Sequence, residues 1–293
     1  MIPQAFHYDS PSTLSGAIAL LQKYGDDAKI MSGGHSLIPM MKLRLATPAH
    51  IIDIGGIKGL EYIREEDGFL KIGALTKEVA LEESALIHKN YTLIHDATIM
   101  IADPTVRNLA TIGGNLAHGD SANDHPAVMI ALNAQIVVVG PKGERTIPID
   151  EFFLGFFTTA LEHDEILTEI KIPIHVPQSG GAYLKMERKV GDYATAAVAV
   201  QLVMDTEGVC KDIGIALTNV SAAPMRATRS EAALRGHKLN DDEAIEIAAT
   251  MAAQDCDPNP DLRGSIDYKR SIVQTLTSRA IKIALERASR QYS

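Results

Sequence analysis

Cysteine is almost absent from this chain, which has only two cysteines among 293 residues. Cys210 and Cys256 lie far apart in the sequence and form no C-x-x-C pair. We therefore expect free thiols in a cytosolic protein, although one structural disulfide stays open. An iron–sulfur cluster takes about four cysteine thiolates, so this chain cannot hold such a cluster alone.

A basic surface and a long apolar run are also absent. The formal net charge is −9, which argues against a nucleic-acid partner because phosphate backbones bind basic surfaces. No apolar run approaches the ~20 residues needed to cross a bilayer, and the N-terminal sequence MIPQ does not resemble a signal peptide. These absences predict a cytoplasmic protein, and they leave an association with the inner face of the membrane open.

What the chain has instead is a pair of polar segments, each containing two adjacent glycines. The first is residues 32–37, and the second, residues 110–126, carries three glycines, two asparagines and two aspartates. Because so small and polar a stretch packs poorly as a strand or a helix, we expect an ordered loop. Glycine leaves the backbone bare, so that main-chain N–H groups can form a nest for a phosphate. Two such loops predict one large ligand with more than one phosphate; the alternative is two purely structural turns.

Familiar signatures do not explain these loops, because neither GxGxxG nor GxxxxGK[ST] occurs in them. A hydrolase built on Ser36 and His118 is disfavoured, since Ile38 stands where GxSxG requires glycine. A metal site has four candidate ligands: His118, Asp120, Asp124 and His125. Their spacing matches no common metal-binding pattern, so polar groups that bind a ligand or cap the backbone are favoured.

Hydrophobic periodicity predicts the α+β class. Ser10 as N-cap and Pro11 open a first helix that ends at Gly25. Further helices are predicted at residues 77–86, 93–101 and 127–133, and strands at 29–31, 50–54, 69–74, 135–139, 145–149 and 165–174. A hairpin turn is predicted at 140–143.

A segment rich in proline and glycine, residues 173–181, is the predicted linker between two domains. Beyond it, strand patterns at 182–190, 195–204 and 209–220 predict an antiparallel meander, and two helices follow at 241–254 and 267–289. The last helix has an apolar stripe suited to covering a sheet. We predict a first domain at 1–177, with lobes at about 1–56 and 57–177, and a second domain at 178–293.

The glycine segments also resemble a known family. Residues 32–42 (SGGHSLIPMMK) and 111–115 (TIGGN) are similar to the two FAD-binding motifs of the medium, flavoprotein subunit of molybdenum-containing hydroxylases. The likeness runs essentially from end to end and includes residues 1–3 (MIP), 44–48 (RLATP), 101–104 (IADP) and 188–195 (RKVGDYAT). The family's first motif usually begins with Ala, where this chain has Ser32.

This resemblance implies a two-lobed FAD-binding domain like that of p-cresol methylhydroxylase and vanillyl-alcohol oxidase, followed by a smaller α+β domain of antiparallel sheet and helices. It also implies a large molybdenum–pterin subunit and a small subunit with [2Fe–2S] clusters, in an assembly that is usually doubled. Electrons would pass from the clusters to FAD in this chain and then to an external acceptor. The donor stays open between carbon monoxide, an aldehyde, a purine and another N-heterocycle.

By the same resemblance, the backbone N–H groups of residues 33–36 and 113–115 would hold the FAD pyrophosphate, with added bonds from the Ser36 and Thr111 hydroxyls. No residue is expected to act as an acid, a base or a nucleophile, because the cofactor performs the redox chemistry.

Lys185 would lie near the N1–C2 carbonyl edge of the flavin, and Tyr193 would stack on its ring. The alternatives are an exposed strand lysine and a partly buried turn tyrosine. Some of the polar residues at 120–124 would bind the ribityl or adenosine hydroxyls. The predicted cofactor-binding residues are Ser32, Gly33, Gly34, His35, Ser36, Leu37, Ile101, Ala102, Thr111, Ile112, Gly113, Gly114, Asn115, Asp120, Asn123, Asp124, Lys185 and Tyr193.

Two other functions stay open: a stand-alone flavin oxidase of related fold, and a binding or assembly protein that has lost FAD. The segment 152–157 (FFLGFF) holds four of the six phenylalanines in the chain. We expect it to be buried core, with a subunit contact as the alternative.

Overall fold

The computed structural model describes residues 1–239 and 242–290. The first unit of the chain contains a small parallel sheet. Its elements are β1 (His7–Asp9), α1 (Leu14–Tyr24), β2 (Ala28–Met31), α2 (Leu37–Leu43) and β3 (His50–Asp53). The three strands are parallel in the order β1-β3-β2, and the apolar face of α1 packs against them. The predicted N-cap Ser10 is wrong. Thr13 caps α1 instead, because its side chain accepts a hydrogen bond from the Gly16 N–H at 3.1 Å.

The second unit contains a five-stranded antiparallel sheet in the order β4-β5-β10-β6-β7. Its strands, with a separate small hairpin formed by β8 and β9, are β4 (Ile63–Glu66), β5 (Phe69–Gly73), β6 (Gln135–Gly140), β7 (Gly143–Pro148), β8 (Phe153–Gly155), β9 (Thr158–Thr159) and β10 (Ile166–Pro173). The predicted hairpin turn between β6 and β7 is confirmed. The sequence did not indicate β4, which is an exposed edge strand with a single apolar residue.

Six helices join β5 to β6: α3 (Glu78–Glu83), α4 (Ala85–Asn90), α5 (Thr92–Thr98), α6 (Pro104–Arg107), α7 (Ile112–Ala117) and α8 (Asp124–Ala131). The ordered loop predicted at 110–126 is therefore wrong, because α7 and the start of α8 lie within it. Thr111 supplies the N-cap of α7, since its side chain accepts a hydrogen bond from the Gly114 N–H. Tertiary packing supplies the rest of the stabilisation of these two helices, because every residue of α8 is buried.

The last unit is the predicted antiparallel meander, which is confirmed. Its elements are β11 (Ser179–Met186), β12 (Ala196–Met204), β13 (Cys210–Thr218), β14 (Met225–Arg226), α9 (Thr228–Leu234), α10 (Asp242–Asp255) and α11 (Ile266–Arg290). The predicted start of α10 at Asp241 lies outside the described residues. Helix α11 covers one face of the sheet through its apolar stripe, whereas α5 and α8 pack on the other face.

Helices and mixed sheets together confirm the predicted α+β class. Cys210 and Cys256 are buried free thiols, and burial raises the pKa of Cys210 to about 12. Within the described ranges, no helix is both long enough and apolar enough to cross a membrane. The prediction of buried core at 152–157 holds for Phe152, which is fully buried, but Phe156 is 63% exposed.

Candidate functional site

The two glycine segments lie side by side and are joined directly. Ser32 Oγ, after β2, is 2.9 Å from Thr111 Oγ1, at the start of α7. Gly33 lies so close to the second segment that a Cβ on it would be 2.2 Å from the Leu109 carbonyl oxygen. Only a residue without a side chain permits this approach. The structure thus brings both segments into one site.

The first segment presents unused hydrogen-bond donors. Among the described residues, no group accepts a hydrogen bond from the backbone N–H of Gly33, Gly34, His35 or Ser36. Gly34 has a φ of +74°, a conformation that favours glycine. The segment is half-buried, so the donors are partly sheltered from water. Successive free N–H groups of this kind form a concave site for an anion.

The second segment is different, because its N–H groups already have acceptors inside the protein. Gly113 N donates to the Ala74 carbonyl at 3.0 Å, Gly114 N to Thr111 Oγ1 at 3.2 Å, and Asn115 N to the Thr111 carbonyl at 2.9 Å. The expectation that these three N–H groups hold a pyrophosphate stays a prediction, although each already has an acceptor inside the protein. They build the first turn of α7 and fix it against Ala74, the residue after β5.

Polar side chains organise the connection between α7 and α8. Asn123 Nδ2 donates to the Asn115 carbonyl at 2.9 Å, and Asp120 Oδ1 accepts from the Ala122 N–H at 2.9 Å. Asn123 is buried, whereas Asp120 is half-buried. The second carboxylate oxygen of Asp120, Oδ2, takes no part in the hydrogen bond of this turn. Asp120 is thus the more accessible of the two for a hydroxyl-bearing ligand.

Asp124, the first residue of α8, is the centre of a buried polar group. The Tyr183 hydroxyl donates to Oδ1 at 2.6 Å and Lys185 Nζ donates to Oδ2 at 3.1 Å. Burial raises the pKa of Asp124, while the charge of Lys185 and the hydrogen bond from Tyr183 oppose that rise. Lys185 also donates to the Met100 carbonyl at 3.1 Å, and its side chain is only 1% exposed. The alternative of an exposed strand lysine is therefore wrong.

A second buried polar pair, Glu78 and His125, adjoins residues 110–126. Glu78 Oε2 and His125 Nε2 are 2.7 Å apart, and both side chains are fully buried. Burial alone would lower the pKa of His125, but the charge and hydrogen bond of Glu78 outweigh it, so that the pKa is raised. Because the Glu78 N–H donates to the Ala110 carbonyl at 2.9 Å, this pair ties α3 to both ends of the segment.

The turn between β11 and β12 closes the site from the other side. A Cβ on Gly191 would lie 2.2 Å from the Ala102 carbonyl oxygen, so the turn touches the segment after α5. Tyr193 is 46% exposed there. Burial raises the pKa of Tyr193, and the charges of Asp120 and Asp124 raise it further.

Comparison with known families identifies this arrangement. Residues 4–175 match the family described as the FAD-binding domain in molybdopterin dehydrogenase, and residues 181–284 match the CO dehydrogenase flavoprotein C-terminal domain. The first match alone covers more than half of the chain. The chain belongs to the FAD-binding medium subunits of molybdenum hydroxylases. The predicted family, the FAD cofactor and the oxidoreductase class are thereby confirmed.

Individual relatives of this medium subunit agree. It is 46% identical over 290 residues to the carbon monoxide dehydrogenase medium chain of Hydrogenophaga pseudoflava, which covers 99% of this chain and 100% of the relative. It is 35% identical over 288 residues to the 6-hydroxypseudooxynicotine dehydrogenase complex subunit alpha of Paenarthrobacter nicotinovorans, covering 98% and 97% of the two chains.

A solved structure gives the same fold. It is a carbon monoxide dehydrogenase from Hydrogenophaga pseudoflava that lacks the Mo-pyranopterin moiety of the molybdenum cofactor. One of its chains superposes with a TM-score of 0.95 at 47% identity, covering 98% of this medium subunit and 99% of that chain. The predicted fold, a two-lobed FAD-binding domain followed by a smaller α+β domain, is confirmed.

The residues present fit FAD. His35 Nε2 and Asn115 Oδ1 are buried and have no hydrogen-bond partner among the described residues. A buried polar atom left unpaired costs about 1–3 kcal/mol, and a ligand or an ordered water can complete it. Together with the free N–H groups of residues 33–36, these two atoms match a cofactor that carries phosphates and hydroxyls.

The structure places the other predicted residues in different settings. Ile101 and Ile112 are buried apolar side chains, so only their backbone could contact a cofactor. Sequence reasoning missed Tyr183, although it lies two positions before Lys185 on one strand and so shares its face. It also missed Glu78, which lies more than 30 positions before the second glycine segment.

The four candidate metal ligands do not come together. His125 pairs with Glu78, Asp124 with Tyr183 and Lys185, and His118 contacts Phe157 in a tilted arrangement with ring centroids 5.0 Å apart. Residues 1–239 and 242–290 contain no group of three or more His, Cys, Asp or Glu side chains that could hold a metal ion.

Proposed function

We propose that this medium subunit binds FAD across its two glycine segments, receives electrons from [2Fe–2S] clusters of a small partner subunit, and passes them to an external acceptor. The observation that carries the proposal is the 2.9 Å contact between Ser32 and Thr111. It joins the segment that carries the free N–H groups of residues 33–36 to the segment that carries the unpaired side-chain oxygen Oδ1 of Asn115. Donors for phosphate and an acceptor for a hydroxyl thus lie at one place.

Each part of the site has a role in this proposal. The N–H groups of residues 33–36 bind the pyrophosphate, because a nest of backbone donors favours an anion. His35 and Asn115 pair with polar groups of the cofactor, and Asp120 binds a ribityl or adenosine hydroxyl. Tyr193 lies against the flavin ring. FAD, when bound, supplies the reversible uptake and release of electrons, which the protein tunes and positions.

The role of Lys185 at the N1–C2 edge of the flavin stays a prediction. Its ammonium group is already engaged by the Met100 carbonyl and by Asp124, with Glu187 at 3.5 Å. A cation held in this way favours negative charge that develops on a neighbouring ring. Because Asp124 and Glu187 offset most of its field at a distance, this role requires the ammonium group to lie close to the ring edge.

We propose that the other redox centres belong to partner subunits. Both cysteines here are buried free thiols, so the chain has no ligand set for a [2Fe–2S] cluster. A large molybdenum–pterin subunit and a small iron–sulfur subunit would complete an assembly that is doubled. The same thiols support a cytoplasmic location. The relatives are named for carbon monoxide and for 6-hydroxypseudooxynicotine, so the substrate follows the large subunit rather than this chain.

The proposed division of the chain is a FAD-binding domain at 1–177, with lobes at about 1–56 and 57–177, and a C-terminal domain at 178–293. The ranges of the two family matches, 4–175 and 181–284, support it. The C-terminal sheet is nevertheless not independent, because Tyr183 on β11 belongs to the same core as α8.

An absorbance spectrum of the purified full-length chain, before and after addition of FAD, tests the proposal. We expect the bands of oxidised flavin and release of FAD on denaturation. Gly33→Ala should lose these bands, because its Cβ would collide with the Leu109 carbonyl. Gly56→Ala is the matched control, since nothing lies within 4 Å of a Cβ at that position.

Other outcomes of that experiment favour the other functions. A chain that stays colourless with FAD, both alone and after co-expression with its neighbouring subunits, supports a binding or assembly protein. Turnover of an alcohol substrate by the isolated chain, with no partner subunit present, supports a stand-alone flavin oxidase.

We also propose that the tip of the β8–β9 hairpin contacts the small subunit. Leu154 and Phe156 are each 63% exposed and Phe157 is 42% exposed. The hairpin lies next to the site, because Phe157 N donates to the Gly119 carbonyl at 3.0 Å. A surface that adjoins the cofactor keeps the path for electrons short, and exposed aromatic residues are typical of interfaces.

Substitution of Phe156 by Ala tests this surface. We expect the affinity between the purified subunits to fall by about tenfold or more, as for a central aromatic anchor. Phe6→Ala is the control, because Phe6 is 42% exposed and lies before β1 in the first unit. Intact assembly of the Phe156 variant at wild-type affinity removes the hairpin from the interface.

A further inference from the structure

The turn that carries Tyr193 is held by a residue from a distant part of the chain. Arg263 donates from Nη2 to Asp192 Oδ1 at 3.0 Å. The same oxygen accepts from the Tyr193 N–H at 2.9 Å, and Arg188 Nε donates to Asp192 Oδ2 at 2.9 Å. Asp192 is therefore the hub of the turn. Charge-assisted hydrogen bonds of this kind are stronger and geometrically more specific than neutral ones.

The carboxylate of Asp192 stays ionised in this setting. Burial alone would raise its pKa, but hydrogen bonds from Arg263 and Arg188 outweigh burial and lower the pKa to about 2. Arg188 is 52% exposed, whereas Arg263 is 23% exposed. The more buried arginine is the better anchor, because it is less free to move and less screened by water.

The position of Arg263 is fixed by hydrogen bonds to Asp261. Asp261 Oδ1 accepts from the N–H groups of Arg263 and Gly264 at 2.7 Å and 3.1 Å, and Asp261 Oδ2 pairs with Lys269 Nζ at 2.8 Å. Lys269 is buried on α11. The segment between α10 and α11 is thus tied to the C-terminal core, and it presents the guanidinium group to the turn.

The guanidinium group also lies over one face of the Tyr193 ring, 5.9 Å from its centroid. An arginine at this distance is attracted by the ring face. The base of the turn is fixed as well, because Gly191 packs on the Ala102 carbonyl.

We propose that Arg263 is a positioning residue for the flavin chemistry: it holds Tyr193, through Asp192 and through the ring face, in the orientation that stacks on FAD. The inference rests on the proposed function, because it assumes that FAD binds where Tyr193 points. A segment of the C-terminal domain that lies outside its sheet would thus help to position a ring of the flavin site. In this proposal Arg263 acts through Asp192 and Tyr193 rather than on the cofactor itself.

Flavin fluorescence tests this inference, because an aromatic ring stacked on a flavin quenches its emission. The full-length chain is loaded with FAD, and emission is measured per bound FAD. In Arg263→Gln the turn loses its anchor, and we expect a severalfold rise in emission with FAD still bound. Arg229→Gln is the matched control, since Arg229 makes a similar pair with Asp255 at 2.7 Å elsewhere in this domain. It should leave emission unchanged.

A double-variant cycle shows whether Arg263 acts through Tyr193. Tyr193→Leu should raise emission by itself, and Arg263→Gln should add nothing in that background. Asp192→Asn offers a second way to release the same turn and should reproduce the rise. Arg263→Lys, which keeps a charge but not the planar fork, should give an intermediate value.

Three outcomes overturn the inference. Emission in Arg263→Gln and Asp192→Asn that equals the wild type shows that the turn needs no anchor. A further rise in the Tyr193→Leu background shows that Arg263 acts elsewhere. A wild-type chain that binds no FAD overturns the proposed function itself. A normal FAD content with unchanged emission in the variants overturns only the inference about Arg263 and leaves the proposed function standing.

Discussion

The first glycine segment, residues 32–37, and the second, residues 111–115, share a sequence pattern and differ in the state of their backbone donors. The first is half-buried, and the N–H groups of residues 33–36 have no acceptor in the described protein. The second forms a capped helical turn in which the N–H groups of residues 112–115 have acceptors inside the protein. The first segment offers donors to a ligand. The second segment, residues 111–115, forms the packed surface beside those donors, which we call the wall of the site.

The difference shows that a pair of glycines has two separate uses. In the first segment, Gly34 adopts a positive φ that turns the backbone. In the second, Gly113 lets α7 approach β5, because a Cβ on Gly113 would be 2.6 Å from the Ala74 side chain. The sequence pattern alone does not separate these uses, since the neighbour that fills the space comes from elsewhere in the chain.

The largest expected effect is on the buried pair behind the second segment. His125→Gln leaves the Glu78 carboxylate buried without its charged partner, which costs about 3–5 kcal/mol. The pKa of His125 is raised in the folded chain from its usual 6.5. The stability that its protonation contributes is therefore fully present below pH 6.5 and is lost as the pH rises through the folded pKa. Urea unfolding of the apo-chain at a series of pH values should show this loss in the wild type only.

His163→Gln is the control for that series, because His163 is 58% exposed and lies 3.9 Å from Asp164. It should follow the wild-type pH dependence. A His125 variant that keeps the wild-type slope above pH 6.5 would mean that the pair is not charged in the folded chain.

A smaller loss is expected when the wall itself is overpacked. Gly113→Ala places a methyl group against Ala74 and should reduce the free energy of unfolding by about 1–3 kcal/mol even without FAD. The melting temperature of the apo-chain measures this effect. Gly56→Ala, where the added group meets open space, should melt like the wild type. If Gly113→Ala melts normally and only FAD binding suffers, the second segment is a ligand loop rather than a wall.

The link between the segments should matter less for stability and more for the cofactor. Ser32→Ala removes one hydrogen bond to Thr111, worth about 0.5–1.5 kcal/mol, so FAD affinity should fall by about tenfold at most. Ser15→Ala removes a hydroxyl that lies 3.3 Å from the Thr13 hydroxyl on α1, far from the site, and serves as control. Titration with FAD distinguishes the two variants, and equal affinities would show that the segments need no direct link.

Much of this architecture is readable from the sequence, because local patterns determine it. The meander β11-β12-β13 follows from alternating apolar runs and polar turns, and the face of α11 follows from its helical period. The convergence of the glycine segments was expected only because both are polar and small. Their identity with FAD motifs came from resemblance to the family, not from spacing.

The remaining features depend on tertiary contacts that no local pattern contains. Residues 112–117 are poor helix formers by composition, yet Thr111 caps them and the core holds them in place. Glu78 reads as a surface residue at the start of a helix, but it is fully buried because His125 faces it 47 positions later. Arg263 reads as a polar loop residue, and its partner Asp192 lies 71 positions earlier.

The smallest effect on stability, and a selective one on the cofactor, is expected at Asn115. Its Oδ1 is buried without a partner, so Asn115→Ala removes an unpaired acceptor and also improves helix propensity in α7. The apo-chain should melt at or slightly above the wild-type temperature, while FAD affinity falls by up to about tenfold because one hydrogen bond is lost. Asn90→Ala, at the end of α4, repeats the same substitution on a half-buried helical asparagine and should leave FAD affinity unchanged. A destabilised apo-chain with normal FAD affinity would instead assign Asn115 to the wall, and the first segment alone would then have to account for recognition of the cofactor.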